Sequence, residues 1–138
     1  MLDVKLLSDN AIVPKRGTLL SAGLDLVISE GGWIYPGSPV VLSTDVAIRL
    51  PANTVGLIKE RSSFAKIGIT VSAGVIDEDY RGPIKLVVNN NTQEAHVLSA
   101  GARIAQLLIV PIEYHTVRVV ETLGDTARGD KGFGSTGV

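Results

Sequence analysis

Short apolar runs alternate with glycine, proline and polar residues along most of this chain of 138 residues. The runs are rich in Val, Ile, Leu and Thr, which favour pleated and partly buried strands. They predict strands at Val4–Leu7, Leu24–Ile28, Trp33–Tyr35, Val40–Ser43, Ala47–Leu50, Val55–Lys59, Ile84–Val88, Ala95–Leu98, Ile104–Val110 and Thr116–Val120. Many short strands at this spacing are typical of a sandwich or barrel, so we expect an all-β protein.

Two segments carry more specific expectations. Ser62–Ile67 is the only helix candidate, with a serine N-cap and Gly68 as its stop signal. Leu107–Val110 is apolar throughout, which predicts a strand buried on both faces. The chain should therefore form a β-core with one short helix.

Composition limits the possible partners. Hydrophobic residues make up 45% of the chain and charged residues 20%, which is enough apolar material for one folded domain. The net charge of −1 removes the electrostatic case for binding nucleic acid or an acidic membrane, so we expect neither partner. The chain has no cysteine, which excludes disulfides and thiolate catalysis. No apolar run approaches the ~18 residues of a membrane span, so we expect a soluble, untargeted protein.

The last seventeen residues differ from the rest. Residues 122–138 are small, polar and glycine-rich, and we interpret them as an arm attached to a β-core of residues 1–121, within a single domain. Near the end, Arg128–Gly137 places four glycines around Phe133. Glycine backbone, hydroxyl groups and arginine are suited to an oxyanion, and the aromatic ring to stacking on a flat ligand. A polar tail without such a role is the alternative.

Two internal segments carry further candidate chemistry. Gly74–Gly82 contains two apolar residues, three acids, a tyrosine and a closing glycine, which predicts a tight hairpin with the acids at its tip. Clustered carboxylates can activate water or hold Mg²⁺ near a phosphate, although an acidic surface turn has the same pattern. Arg61-Ser62-Ser63 precedes the helix, where hydroxyl and backbone N–H groups could receive phosphate oxygens. An ordinary helix cap is the alternative.

Taken together, these segments resemble the trimeric dUTP pyrophosphatase (dUTPase) family. The resemblance extends over nearly the whole chain and rests on five ordered motifs: Ala22–Leu26, Arg61–Ser63, Ala73–Gly82, Gly101–Leu107 and Arg128–Gly137. It implies a distorted jelly roll, a barrel-like β-sandwich with one short helix and a glycine-rich C-terminal arm. It also implies Mg²⁺-assisted hydrolysis of dUTP to dUMP and pyrophosphate, which keeps uracil out of DNA and supplies dUMP for thymidylate synthesis.

The resemblance also implies roles for individual residues. Asp77 would be the catalytic base that activates the attacking water and also contacts the 3′-hydroxyl. Tyr80 would pack on the deoxyribose and leave no room for a 2′-hydroxyl. The backbone of Gly74, Val75 and Ile76, and of the strand near Lys85, would read the uracil edge.

Further residues would hold the phosphates. The resemblance assigns Arg61, Ser62, Ser63 and Gln106 to the phosphate chain, and implies that Asp25 supports Arg61 near the water shell of the metal. Arg128, Gly134, Ser135 and Thr136 would clamp the γ-phosphate while Phe133 covers uracil. Mg²⁺ would be held mainly by substrate phosphates and water. An arm that reaches away from its own core implies a homotrimer with shared active sites.

Two alternatives remain open. The dCTP deaminases share this fold and have a similar Arg-Ser-Ser segment, but their catalytic glutamate aligns here with Val87. A non-catalytic nucleotide-binding or regulatory protein on the same scaffold is the other. Glu60 and Lys131 depart from the usual family pattern and add charge near the phosphates. The resemblance leaves the compartment open: we expect the cytoplasm, or a host cell if the source is viral.

Overall fold

The structure, a computed structural model, describes residues 1–132 and confirms an all-β sandwich with one short helix. The last four residues predicted for the site, Phe133, Gly134, Ser135 and Thr136, lie outside the described residues. In chain order the elements are β1 (Asp3–Leu6), β2 (Lys15–Arg16), β3 (Leu24–Val27), β4 (Gly32–Ile34), β5 (Val40–Arg49), β6 (Thr54–Glu60), α1 (Ser62–Lys66), β7 (Ile69–Ser72), β8 (Val75–Ile76), β9 (Pro83–Asn90), β10 (His96–Leu98) and β11 (Arg103–Pro111).

These strands form two main antiparallel sheets. The four-stranded sheet has the order β1-β5-β9-β7, and the five-stranded sheet has the order β2-β3-β11-β6-β8. A small sheet pairs β10 with β4. The aliphatic core includes Leu26, Ile28, Ile34, Ile84, Leu86, Ile104 and Leu107, all buried. Alternate residues of β9 point into this core, and β11 buries Ile104, Ala105 and Leu107 against it.

One bulge joins two of the predicted strands. Val40–Ser43 and Ala47–Leu50 belong largely to the single strand β5, whose register on β9 shifts between Ser43 and Ala47. Asp45 adopts a left-handed φ of 51° in the bulge. Its carboxylate accepts hydrogen bonds from Ser43 Oγ at 2.5 Å and Ser8 Oγ at 2.8 Å. These hydrogen bonds lower the pKa of Asp45, and the bond from Ser43 has the largest effect.

Three local predictions are wrong. The predicted serine N-cap is absent, because Arg61, with extended backbone, occupies the N-cap position and no side chain caps the helix. The stop signal at Gly68 is nevertheless present, with a left-handed φ of 85°. Thr116–Val120 forms no strand, because none of the described strands pairs with it. The Leu107–Val110 run is fully buried only at Leu107, because just one face of β11 packs on the core.

The chain changes character after β11. Residues 112–132 contain no helix or strand. Apolar side chains in this segment are at least 90% exposed at Val117, Val119 and Leu123. The domain boundary at residue 121 stays a prediction. In the described part of the chain, no helix is long and apolar enough to cross a membrane.

Candidate functional site

The segment Gly74–Gly82 connects the two sheets. Val75 and Ile76 form β8, which pairs with Leu57 and Gly56 of β6, whereas the following strand β9 pairs with β5 and β7. The predicted tight hairpin is therefore wrong, because the two strands belong to different sheets. The turn at its centre does carry the acids, and the N–H of Tyr80 bonds the carbonyl of Asp77 at 3.1 Å.

A pocket of about 230 Å³ lies where the two sheets separate. It is lined by Ala73, Val75, Ile76, Asp77, Tyr80, Pro83, Lys85 and Val87. Five of the predicted site residues are thus brought together here. The carboxylate of Asp77 is exposed, and within residues 1–132 no hydrogen bond or ion pair engages it. Tyr80 is oriented by its hydroxyl, which donates to the Pro83 carbonyl at 3.0 Å.

Gly74 supports this pocket without lining it. Its carbonyl accepts the Ile58 N–H at 2.7 Å, which draws the chain against β6 just before β8 begins. A Cβ added at Gly74 would lie only 2.5 Å from the Ile58 carbonyl oxygen, so only glycine fits without movement. Because β8 is the last strand of its sheet, one of its backbone edges is left unpaired by that sheet.

A second pocket, of about 250 Å³, contains the polar residues of the other motifs. Its lining residues are Gly17, Ser21, Gly23, Asp25, Arg61, Ser62, Arg103 and Gln106. The predicted pair is present: Arg61 Nε lies 3.4 Å from Asp25 Oδ1. Asp25 and Gln106 are cross-strand partners on β3 and β11, so sheet pairing brings the first and fourth motifs together.

Sequence reasoning assigned no role to four of the residues that line this second pocket: Gly17, Ser21, Gly23 and Arg103. Arg103 Nη1 lies 3.3 Å from Asp25 Oδ2, so one carboxylate orients two guanidinium groups. A Cβ added at Gly23 would lie 2.9 Å from the Cβ of Gln106, so glycine at this position leaves room for the glutamine side chain. Gly23 and Arg103 belong to motifs already identified from the sequence, where Arg103 could have been found as a cation close to Gln106, whereas Gly17 and Ser21 lie outside those motifs. Ser63 is exposed and does not line this pocket.

The two pockets share no lining residue among the described residues 1–132. Arg128 is also separate from both of them. It lies in a local turn, where its Nε donates to the Lys131 carbonyl at 3.0 Å. Within the described residues, the predicted site residues thus lie mainly in two pockets, and Arg128 lines neither of them.

Charge and chemistry differ between the pockets. In the first, the titratable lining residues are Asp77, Tyr80 and Lys85, whereas Val87, which also lines it, is apolar. In the second, two arginines face a serine hydroxyl and an amide, a donor set suited to phosphate oxygens. Within residues 1–132, no group of three or more acidic or histidine side chains could hold a metal ion by itself.

Comparison with known proteins gives the family. Residues 9–137 match the dUTPase family. The chain is 44% identical over 136 residues to the deoxyuridine 5′-triphosphate nucleotidohydrolase of Paramecium bursaria Chlorella virus 1, covering 98% of this chain and 96% of that protein. It is 43% identical over 132 residues to the protein of the same name from Mus musculus, covering 95% and 82%.

Solved structures agree with the sequence matches. The Staphylococcus bacteriophage 80alpha dUTPase with dUpNHpp superposes with a TM-score of 0.90 at 33% identity, covering 100% of this chain and 99% of that one. A mutant dUTPase of phage phi11 of S. aureus, described with a structural Mg(II) ion, gives 0.83 at 29% identity, covering 89% and 98%. These matches confirm the jelly-roll fold, and the chain belongs to the dUTPase family.

Proposed function

We propose that this protein is a dUTP diphosphatase, which hydrolyses dUTP to dUMP and pyrophosphate. The observation that carries the proposal is the pocket between the sheets, where Asp77 and Tyr80 flank the unpaired edge of β8. Membership of the dUTPase family supports the same activity. The 80alpha relative is described with dUpNHpp, a nucleotide ligand of the corresponding class.

The edge of β8 suits uracil. A strand edge presents N–H and C=O groups in alternation, and uracil presents acceptor, donor and acceptor groups along its O2, N3 and O4 edge. Cytosine presents acceptor, acceptor and donor groups there, so the same backbone would leave groups unpaired. We assign this readout to Gly74, Val75 and Ile76 and to the facing strand near Lys85. The carbonyl of Gly74 already accepts the Ile58 N–H, and Ile76, two residues on, faces β6 in the same way, so Val75 presents its N–H and C=O to the open edge.

The second pocket is assigned to the triphosphate. Arg61 and Arg103 supply positive charge, and Asp25 holds both guanidinium groups in place. Gln106 and Ser62 add neutral donors on the same surface, and Ser63 is close along the chain. Bidentate arginine contacts to phosphate are strong and directional, so these residues would fix the α-phosphate for attack.

Asp77 is assigned as the general base. It would take a proton from a water molecule whose oxygen attacks the α-phosphorus, while the bond from that phosphorus to the bridging oxygen of the β-phosphate breaks. Pyrophosphate leaves, and dUMP keeps the oxygen that came from water. General-base positioning of this kind contributes ~10²–10⁴-fold to rate, and the carboxylate of Asp77, which no other group in residues 1–132 engages, is suited to accept the proton.

The residues present fit Mg²⁺ only as a partner of the substrate. In the described part of the chain, the acidic side chains form no three-ligand cluster, and Mg²⁺ is commonly bound through substrate phosphates and water. Asp25, beside the cationic pocket, is positioned to contact such water ligands. When bound, the ion would neutralise charge on the phosphates. The phi11 relative is described with a structural Mg(II) ion.

We further propose a homotrimer with shared active sites. The two pockets are separate within one chain, so two subunits would each supply one of them to a complete site. The outer face of β11, with Leu108 and Val110 half-buried, and the exposed apolar residues Val117 and Val119 are suited to contacts between copies. A cyclic arrangement closes such head-to-tail contacts. The arm residues Arg128, Phe133, Gly134, Ser135 and Thr136 would then cover a site on a neighbouring subunit.

One assay tests the activity directly. Pyrophosphate release should be measured from dUTP, dCTP and UTP, each with Mg²⁺ and with EDTA. We expect release from dUTP with Mg²⁺, much less from the other two nucleotides, and a large loss with EDTA. Ammonia release from dCTP would instead favour the deaminase alternative, and binding without turnover of any nucleotide would favour a regulatory protein.

A further inference from the structure

The loop that carries Asp77 has little support of its own. Residues 77–82 leave one sheet and enter the other, and most of them are exposed. Arg81 Nη1 donates to the carbonyls of Glu78 and Tyr80, at 2.7 and 2.9 Å, but these bonds are internal to the loop. The position of Asp77 relative to the five-stranded sheet therefore depends on contacts made by its neighbours.

Glu78 makes such contacts. Its Oε2 accepts the backbone N–H of Asn53 at 2.8 Å and the hydroxyl of Tyr114 at 2.9 Å. Asn53 lies in the turn between β5 and β6 with a left-handed φ of 57°, and its carbonyl accepts the N–H of Ile112 at 2.9 Å. A single carboxylate therefore ties the Asp77 loop to the β5–β6 turn and to the segment that follows β11.

Tyr114 is the outermost member of this network. Among residues 1–132, it makes the last hydrogen bond between the segment after β11 and the β-core. Glu78 raises the pKa of the Tyr114 hydroxyl, with smaller contributions from burial and from Asp79 and Asp77. The phenol is therefore protonated at neutral pH and acts as the donor.

We propose that Glu78 and Tyr114 are positioning residues for catalysis, because the hydrogen bonds of Glu78 hold the Asp77 loop against the β5–β6 turn and the segment after β11. This inference rests on the proposed dUTP hydrolysis. Glu78 directly follows Asp77, so a change in its anchorage is transmitted to the base over one residue. A general base displaced by about 1 Å can lose ~10²-fold in rate, so a modest loosening should lower kcat.

The phosphate contacts lie elsewhere, so the effect should be larger on kcat than on KM. The phosphate pocket shares no residue with this network, and Glu78 is joined to Asp77 directly along the loop backbone. Loss of the Tyr114 hydroxyl should therefore reduce kcat by about five- to tenfold, while KM changes by a smaller factor. Loss of the Glu78 carboxyl group removes both bonds and should reduce kcat further.

The test compares Tyr114→Phe, Glu78→Ala and Glu78→Gln in the full-length protein, with Tyr35→Phe as the matched control. Tyr35 is also an exposed tyrosine, stacked on Trp33 far from the loop, with ring centroids 6.1 Å apart. We measure kcat and KM for dUTP and, in the nucleotide-free proteins, amide hydrogen exchange across residues 77–82. The exchange measurement reports loop anchorage even if dUTP proves not to be the substrate.

Three results are expected together. Tyr114→Phe and Glu78→Ala lower kcat and speed loop exchange, Tyr35→Phe changes neither, and Glu78→Gln behaves like the wild type because its amide oxygen accepts both bonds. Wild-type kcat and exchange in Tyr114→Phe would overturn the proposal. So would a Glu78→Gln variant as slow as Glu78→Ala, because the charge of Glu78 and not its hydrogen bonds would then matter. If the wild type fails to hydrolyse dUTP, the proposed function falls, and exchange alone decides the anchorage.

Discussion

Replacing Gly74 with alanine tests whether the close approach of β8 to β6 fixes the position of Asp77. The added Cβ would lie 2.5 Å from the Ile58 carbonyl oxygen, and ordinary contact begins at 3.4 Å, so the chain must move by 3.4 − 2.5 = 0.9 Å. The obstacle is backbone within a paired strand, which cannot rotate away as a side chain would. Asp77 follows three residues later and should shift by a similar distance.

The magnitude follows from two opposing terms. Alanine restricts the unfolded chain and stabilises the protein by ~0.4–1 kcal/mol, whereas overpacking of this kind costs ~1–3 kcal/mol. The free energy of unfolding should therefore fall by about 1–2 kcal/mol, which corresponds to a Tm decrease of about 4–8 °C for a chain of this length. A displacement near 1 Å at the base should lower kcat/KM for dUTP by ~10²-fold.

The matched control is Gly32→Ala at the start of β4, where an added Cβ meets no atom within 4 Å. Pyrophosphate release and thermal unfolding are measured for both variants at one protein concentration, because assembly would make Tm depend on concentration. We expect Gly32→Ala to match the wild type in activity and to be equally or slightly more stable. If kcat/KM of Gly74→Ala stays within about threefold of that control, the steric reasoning is refuted.

Four further predictions follow from the same structure. Asp77→Asn should still bind a non-hydrolysable dUTP analogue but turn over dUTP at least ~10²-fold more slowly, and wild-type turnover would remove Asp77 as the base. Tyr80→Ala should narrow the ratio of kcat/KM for dUTP over UTP, and an unchanged ratio would assign discrimination to the backbone. Deleting Arg128–Val138 should leave a folded core with little hydrolysis. If the sites are shared, co-expression of the truncated chain with the Asp77→Asn chain should restore some activity. Verified mixed trimers without activity would refute shared sites. The pKa of Asp45 is lowered from its ordinary 3.8, so the stability that its carboxylate contributes is present above about pH 3.8 and is lost as the pH falls below that value. The Tm of Asp45→Asn should therefore fall less than the Tm of the wild type between about pH 7 and about pH 3. Equal falls in Tm would contradict this.

Local sequence patterns determined most of the β-elements. Runs of β-branched and aliphatic residues identified the central strands β3, β6, β9 and β11, because these residues fit a pleated surface that is half buried. Gly68 was a reliable stop signal, since the left-handed backbone it adopts is accessible to glycine at low cost. The acidic segment and the Asp25–Arg61 pair were also identifiable, the latter through the family resemblance.

Pairing partners were decided only by the tertiary structure. Nothing local distinguishes a hairpin from a crossover between sheets, so the sequence did not show that β8 pairs with β6 and β9 with β5. Register and burial across the whole sandwich make that choice, since each strand must place its apolar face on the one core. The same holds for Thr116–Val120, whose residues favour a strand but find no neighbouring backbone in the described part of the chain.

The site was likewise predicted as a set of residues but not as an arrangement. The motifs indicated which side chains carry the chemistry, because charge and hydrogen-bonding groups are properties of residue type. Their division into two separate pockets, and the hydrogen bond from Tyr114 to Glu78 across 36 positions, depend on how distant strands meet. Residue identity is local in the sequence, whereas the distance between two groups is set by the packing of the whole chain.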